Sequence, residues 1–165
     1  SLVDWKDHTE PGVKHYSGKA TYTKTFDVQA EIKPKDNYFI ELGPTYEMAR
    51  VTLNGEDLGT VWTSPWRVPT KTALKSKANV LKVEVANSWE NRLIGDTLAE
   101  DKDVRRLKWS SGLLEGKEYK AGRYTFTTYL KAASDFGDIK LEPPKLQSSG
   151  LIGPVKIVKV DENNQ

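Results

Sequence analysis

Residues 51–96 read VTLNGEDLGTVWTSPWRVPTKTALKSKANVLKVEVANSWENRLIGD, and the periodicities in this stretch decide the fold. Asn54-Gly55 sits between alternating apolar flanks. That pair readily takes the positive φ angles of a type I′ turn, which predicts a tight hairpin joining Ala49–Leu53 to Asp57–Trp62. Further along, Asn79 to Asn87 places Leu81, Val83 and Val85 on one side and Lys82 and Glu84 on the other. This period-2 pattern is that of a strand with one wet face. The apolar residues therefore build an antiparallel sheet, while the aromatic and polar residues fall in the connections.

Outward from this stretch, Lys19 to Val28 alternates with Ala20, Tyr22, Phe26 and Val28 on one side. Lys24 interrupts that side, which points to an edge position or a strand end. Tyr38–Leu42 reads as a short strand closed by Gly43-Pro44, Arg67-Val68 as a segment ending at Pro69, and Ala73-Leu74 as one turn. Arg123–Leu130 is β-like, and Ile152–Val160 closes the sheet. Ser1–Tyr16 is polar and aperiodic, predicting an extended arm or loop over the body. Periodicity breaks down from Trp89 to Glu118, with helical candidates confined to Thr97–Leu107 and Glu118–Lys120. Asp135–Ser149 reads as a Pro- and Ser-containing loop. About eight antiparallel strands with closely spaced turns predict an all-β sandwich, one domain over residues 1–165.

Composition narrows the function classes. The 165 residues are 37% hydrophobic and 29% charged, and 25 basic against 23 acidic residues leave a net charge of +2. Nucleic-acid binding needs basic residues gathered on one face; here they are spread along the chain as solvent-facing strand positions. The absence of cysteine excludes disulfides, thiolate nucleophiles and Cys-based zinc sites. No apolar run is long enough to span a bilayer as a helix, and no signal-peptide pattern opens the chain. The chain begins Ser-Leu-Val, which predicts a piece of a longer polypeptide, its C-terminal part.

The residues able to carry chemistry cluster in the loops. Trp62 and Trp66 flank Ser64-Pro65, while Trp89 precedes Glu90, Asn91, Arg92 and Asp96. Flat indole faces stack on the CH-rich face of a pyranose. Amide, carboxylate and guanidinium groups bond its hydroxyls. This gives a candidate ligand-facing set of Trp62, Trp66, Arg67, Trp89, Asn91, Arg92, Asp96 and Trp109. The competing reading has Trp62 and Trp89 sealing the open end of the sandwich core and Arg92 pairing with Asp96 to pin a loop. A glycosidase needs two carboxylates flanking one bond, and no spacing singles out a pair among Glu84, Glu90, Asp96, Asp101, Asp103 and Glu115. His8 and His15 both lie in the N-terminal arm and read as surface loop residues, with no G-x-S-x-G to complete a triad.

LNGEDLGTVWTSPWRV followed by ALKSKANVLKVEVAN resembles the sugar-binding β-sandwich domain of family 2 glycoside hydrolases, a galactose-binding-like jelly roll. SWENRLIGD, RYTFTTY and SSGLIGPVKI more closely resemble the C-terminal sandwich of large α-L-rhamnosidase-type glycoside hydrolases. The resemblance runs from about His15 to Val160. It narrows the sandwich to a galactose-binding-like jelly roll and implies a non-catalytic carbohydrate-binding or accessory domain. Catalysis would then lie in a separate barrel domain of the same secreted or periplasmic polypeptide. The expected partners are a plant or host glycan and that catalytic domain, with neither nucleic acid nor membrane. An alternative implied role is purely structural, packing against the barrel. No cofactor is expected; the resemblance leaves room for a structural calcium ion, with Asp101 and Asp103, or Asp135 and Asp138, as weak candidates lacking an EF-type loop.

Overall fold

A computed structural model of the chain describes residues 1–33, 35–98, 104–107, 109–110, 113–114, 123–126 and 145–160; between residues 96 and 126 it describes backbone only. The first strands are β1 (Lys19–Phe26), β2 (Asn37–Glu41), β3 (Thr45–Tyr46), β4 (Met48–Leu53), β5 (Glu56–Val61), β6 (Arg67–Pro69) and β7 (Asn79–Ala86). Four short strands follow, β8 (Val104–Leu107), β9 (Trp109–Ser110), β10 (Leu113–Leu114) and β11 (Arg123–Phe126), and β12 (Gly150–Leu151) and β13 (Lys156–Val160) end the series. One layer is the antiparallel sheet β1-β7-β4-β5 and the other is β13-β2-β6, with β12 and β3 pairing beside them. Apart from the β4–β5 hairpin, the chain passes back and forth between layers, so each sheet joins pieces distant in sequence. The expected all-β sandwich is present.

Alternation decides which side chains meet. In β4, Ala49, Val51 and Leu53 are fully buried while Met48 and Arg50 point outward. In β7, Leu81, Val83 and Val85 turn inward, as their spacing predicts. Ile40, Leu42 and Val68 from the second layer complete a single apolar cluster. Burying each such side chain stabilises the fold by roughly 1.5–3 kcal/mol. β1 pairs with β7 on one side and has no second neighbour among the described residues. Its inward-facing Lys24 is thus the edge marker that the interrupted alternation implied.

The hairpin forms as expected. Asn54 and Gly55 have φ of 52° and 88°, the two left-handed positions of a type I′ turn. In the ladder, Val51 opposes Gly59 while Thr52 opposes Asp57, leaving Leu58 as the extra residue of a bulge. The bulge turns Leu58 into the core.

Asn54 has a second role that its turn propensity does not reveal. Its Nδ2 donates to Ala73 O at 2.7 Å and to Asn79 Oδ1 at 2.9 Å, and its Oδ1 accepts Val80 N at 2.8 Å. Asn79, fully buried, also accepts Lys75 N and donates to Lys75 O. This satisfied polar network welds the hairpin tip to the loop before β7.

Two expectations need correction. The helix α2 spans Glu90–Leu98 rather than Thr97–Leu107, and residues 104–107 form β8. Asn91, Ile94 and Gly95 fall on one buried helix face, a short i, i+3, i+4 pattern hidden inside a polar segment. The N-terminal arm is not extended: it folds into a 3-10 turn at Trp5–Asp7 and a short helix α1 at Pro11–Lys14. The helical candidate Glu118–Lys120 lies outside the described residues.

Replacing Asn79 by Ala would strand Lys75 N–H, Lys75 C=O and one Nδ2 hydrogen of Asn54. The variant is expected to lose about 2–3 kcal/mol, read from urea denaturation followed by tryptophan emission.

Candidate functional site

The end of the sandwich opposite the Asn54 hairpin carries a rim of exposed apolar side chains. β7 leaves the sheet at Ala86 and reaches Trp89 three residues later. β5 leaves at Val61, whose partner is Ala49, so the next residue, Trp62, emerges beside Met48 at the same end. Trp62 and Trp89 are 72% and 74% exposed, and Tyr46 and Met48 add to the rim at 44% and 45%. Trp62 and Trp89 therefore do not seal the core. Strand ends point them away from it, because the cluster is already closed beneath them by Ala49, Val85 and Leu42.

The described side chains among the other candidate residues do not join Trp62 and Trp89 on this rim. Trp66 is half-buried against the core, and its carbonyl accepts Leu42 N at 2.8 Å. Arg67 lies across from Glu41 on the outer side of the second sheet, its guanidinium carbon 4.9 Å from the centroid of Phe39. Asn91 does not face a ligand. It is 2% exposed, donates to Gln147 O at 2.7 Å and accepts Gln147 N at 2.7 Å, with Ser149 Oγ at 3.2 Å. Arg92 is half-buried on α2 and already engaged. Asp96 follows it one turn later on that helix, not in a loop, and its side chain lies outside the described residues. The side chain of Trp109, in β9, also lies outside them.

A separate groove of about 740 Å³ runs between β1 and β13. Phe26, Leu81, Val83 and Ile157 contribute to its apolar floor, and no tryptophan lines it. Its single carboxylate, Asp27, accepts Ala78 N at 2.8 Å. The carboxylates named for calcium lie outside the described residues, among which no cluster of three metal-ligating side chains occurs. His8 is an exposed loop residue as expected, its Nδ1 accepting Glu10 N, whereas His15 at the end of α1 is half-buried with its ring packed on Gly95 of α2.

Residues 6–137 match the family model described as glycosyl hydrolase 2 galactose-binding domain-like. The chain belongs to that family. Among solved structures, the rhamnosidase from Novosphingobium sp. PP1Y is 33% identical and superposes with a TM-score of 0.66, over 96% of this chain and 12% of the rhamnosidase chain. A curated relative, "Putative beta-glucuronidase" of Formosa agariphila, is 34% identical over 161 residues, 94% of this chain and 13% of that protein. The chain thus spans a small part of each relative's length, and both relatives are named as glycoside hydrolases.

Within this member of the galactose-binding domain-like family, the rim is held by a clamp that the polar N-terminal sequence does not advertise. Trp5 is buried, donates from Nε1 to Tyr22 Oη at 2.7 Å, and packs edge-on against Tyr16. Gly150 lies against the same indole. A Cβ there would come within 2.5 Å of Trp5 Nε1, and its φ of 90° is one that L side chains rarely adopt. Trp5 N donates to Ser149 O, while Asp4 Oδ1 accepts Ser149 N and Lys6 N. Asn91 completes the clamp from α2. Trp89, whose carbonyl opens that helix by accepting Leu93 N, is fixed in turn. Two signals in the sequence could have marked the clamp: a lone Trp in a polar arm, and an amide on a helix face otherwise apolar.

Asn91→Ala removes both hydrogen bonds to Gln147 and is expected to cost about 2–3 kcal/mol, measured by urea denaturation. Asp4 provides a pH test. Burial raises its carboxyl, but hydrogen bonds from Ser149, Ser148 and Lys6 prevail and hold it below its ordinary value of 3.8. A depressed folded-state value stabilises the fold above pH 3.8 and loses that contribution as pH falls through the folded value. Asp4→Asn should therefore be less stable than the parent at pH 7, with the gap closing in strong acid, as read from thermal melts across pH.

Proposed function

We propose that this chain is a non-catalytic accessory domain of a larger glycoside hydrolase, and that its aromatic rim takes hold of glycan. The observation that carries the proposal is the exposure of Trp62 and Trp89 at one end of the sandwich. Apolar side chains exposed together at one place mark an interaction surface, and a pyranose face is a fitting partner for an exposed ring. The domain would raise the local concentration of glycan at a catalytic domain on the same polypeptide. A glycan substrate outside the cell would make that polypeptide secreted or periplasmic.

The second reading has the rim docking against the catalytic domain. Tyr46 and Met48 favour it by making the rim more apolar than stacking alone requires. The internal commitment of Asn91, and of Arg67 over Phe39, also removes two of the expected hydroxyl partners.

Titration of the chain with L-rhamnose, D-glucuronic acid and tetrasaccharides containing them, followed by tryptophan fluorescence, separates the readings. Glycan binding predicts saturable quenching, weakened about two- to tenfold by Trp62→Ala or Trp89→Ala, the loss of one stacking contact of roughly 0.5–1.5 kcal/mol. Docking predicts no response to sugar and concentration-dependent self-association that the same substitutions abolish, seen by analytical ultracentrifugation.

A further inference from the structure

We propose that the outer face of the four-stranded sheet is the platform along which a glycan chain runs from Trp62, a surface built from residues other than the loop cluster. The inference rests on the glycan-binding reading above and extends it to a specific face. Register places Thr21, Glu84, Arg50 and Thr60 in one row across β1, β7, β4 and β5. All four alternate with inward-facing core residues and so share the outer side. The adjacent row carries Met48 and leads to Trp62, so an exposed indole stands at the head of a line of hydroxyl, carboxylate, guanidinium and hydroxyl groups.

The two charged members of the row are held in place. Arg50 donates from Nε and Nη2 to Asp57 Oδ2 at 3.2 and 2.7 Å, which fixes the plane of the guanidinium and leaves Nη1 without a partner among the described residues. Its side chain remains 61% exposed. Glu84 is met by Lys19 Nζ at 3.2 Å and stays 35% exposed. Oriented donors and acceptors beside an aromatic face are what a sugar's hydroxyls and CH face require. A face serving only for solvation has no use for a protruding indole and thioether at one end. Four strands about 4.8 Å apart make the row roughly 15 Å long, longer than a single sugar ring, so the occupant is an oligosaccharide rather than a monosaccharide.

Isothermal titration of the chain with L-rhamnose, D-glucuronic acid and the tetrasaccharides containing them tests this. The platform predicts that a tetrasaccharide binds at least tenfold more tightly than its monosaccharide. Arg50→Ala and Glu84→Gln should each weaken the tetrasaccharide about fivefold while leaving the monosaccharide unchanged, and Arg50→Lys should restore part of the loss. Both positions are exposed, so the fold is expected to survive, which amide chemical shifts check directly. Equal affinity for short and long sugars, or parental affinity in the Arg50 and Glu84 variants, overturns the platform even if Trp62→Ala and Trp89→Ala still weaken binding. Absence of any sugar binding removes the platform together with the reading it rests on.

Discussion

The facing of Val51, Leu53, Val83 and Val85 against Ile40, Leu42 and Val68 is the contact from which the rest of the structure follows. Each sheet needs the other because neither can bury its apolar side alone. Every strand end is consequently fixed in two directions at once, along its own ladder and across the interlayer space. The connections inherit that rigidity. A loop spanning Trp62 to Trp66 has little freedom when Val61 is paired with Ala49 and Val68 with Ile40.

The two ends of the sandwich solve different problems with that framework. At the hairpin end, Asn54 and Asn79 satisfy each other and the surrounding backbone, so polar groups are buried without leaving an unpaired donor or acceptor. At the opposite end the apolar cluster is closed one layer below the surface, and the large side chains that follow the strands are left in solvent. The clamp of Trp5, Asp4, Asn91 and Ser149 draws the N-terminal arm, α2 and the returning chain together behind this rim. Polar residues are thus of two kinds: those near the rim hold the backbone, while Arg50 and Glu84 on the outer sheet face pair with neighbouring side chains and stay partly exposed.

Much of the sandwich was legible from residue pattern. Leu81, Val83 and Val85 fell on the buried face because alternation leaves a strand only two sides. Asn54-Gly55 formed its turn because few other pairs tolerate two positive φ angles. Lys24 marked an edge because a charge facing inward is tolerated where water still reaches. The site was less legible. Trp62 and Trp89 sit in sequence contexts that serve equally for sealing a core or facing solvent, and only the closure of the cluster beneath them separates the two. Asn91 looked available because its partner, Gln147, is 56 residues away. Trp5 gave no periodic signal at all, since it is buried by Tyr22 and Gly150 rather than by neighbours in a regular element.

By itself, the sequence determined the layer architecture, the hairpin and the faces of the long strands, because these depend on the local period of side-chain direction and on backbone sterics. Tertiary structure alone decided which polar groups hold the chain and which stand free. That choice depends on contacts between segments as far apart as Asp4 and Ser149. A hydrogen bond across such a separation leaves no trace in the spacing of either residue.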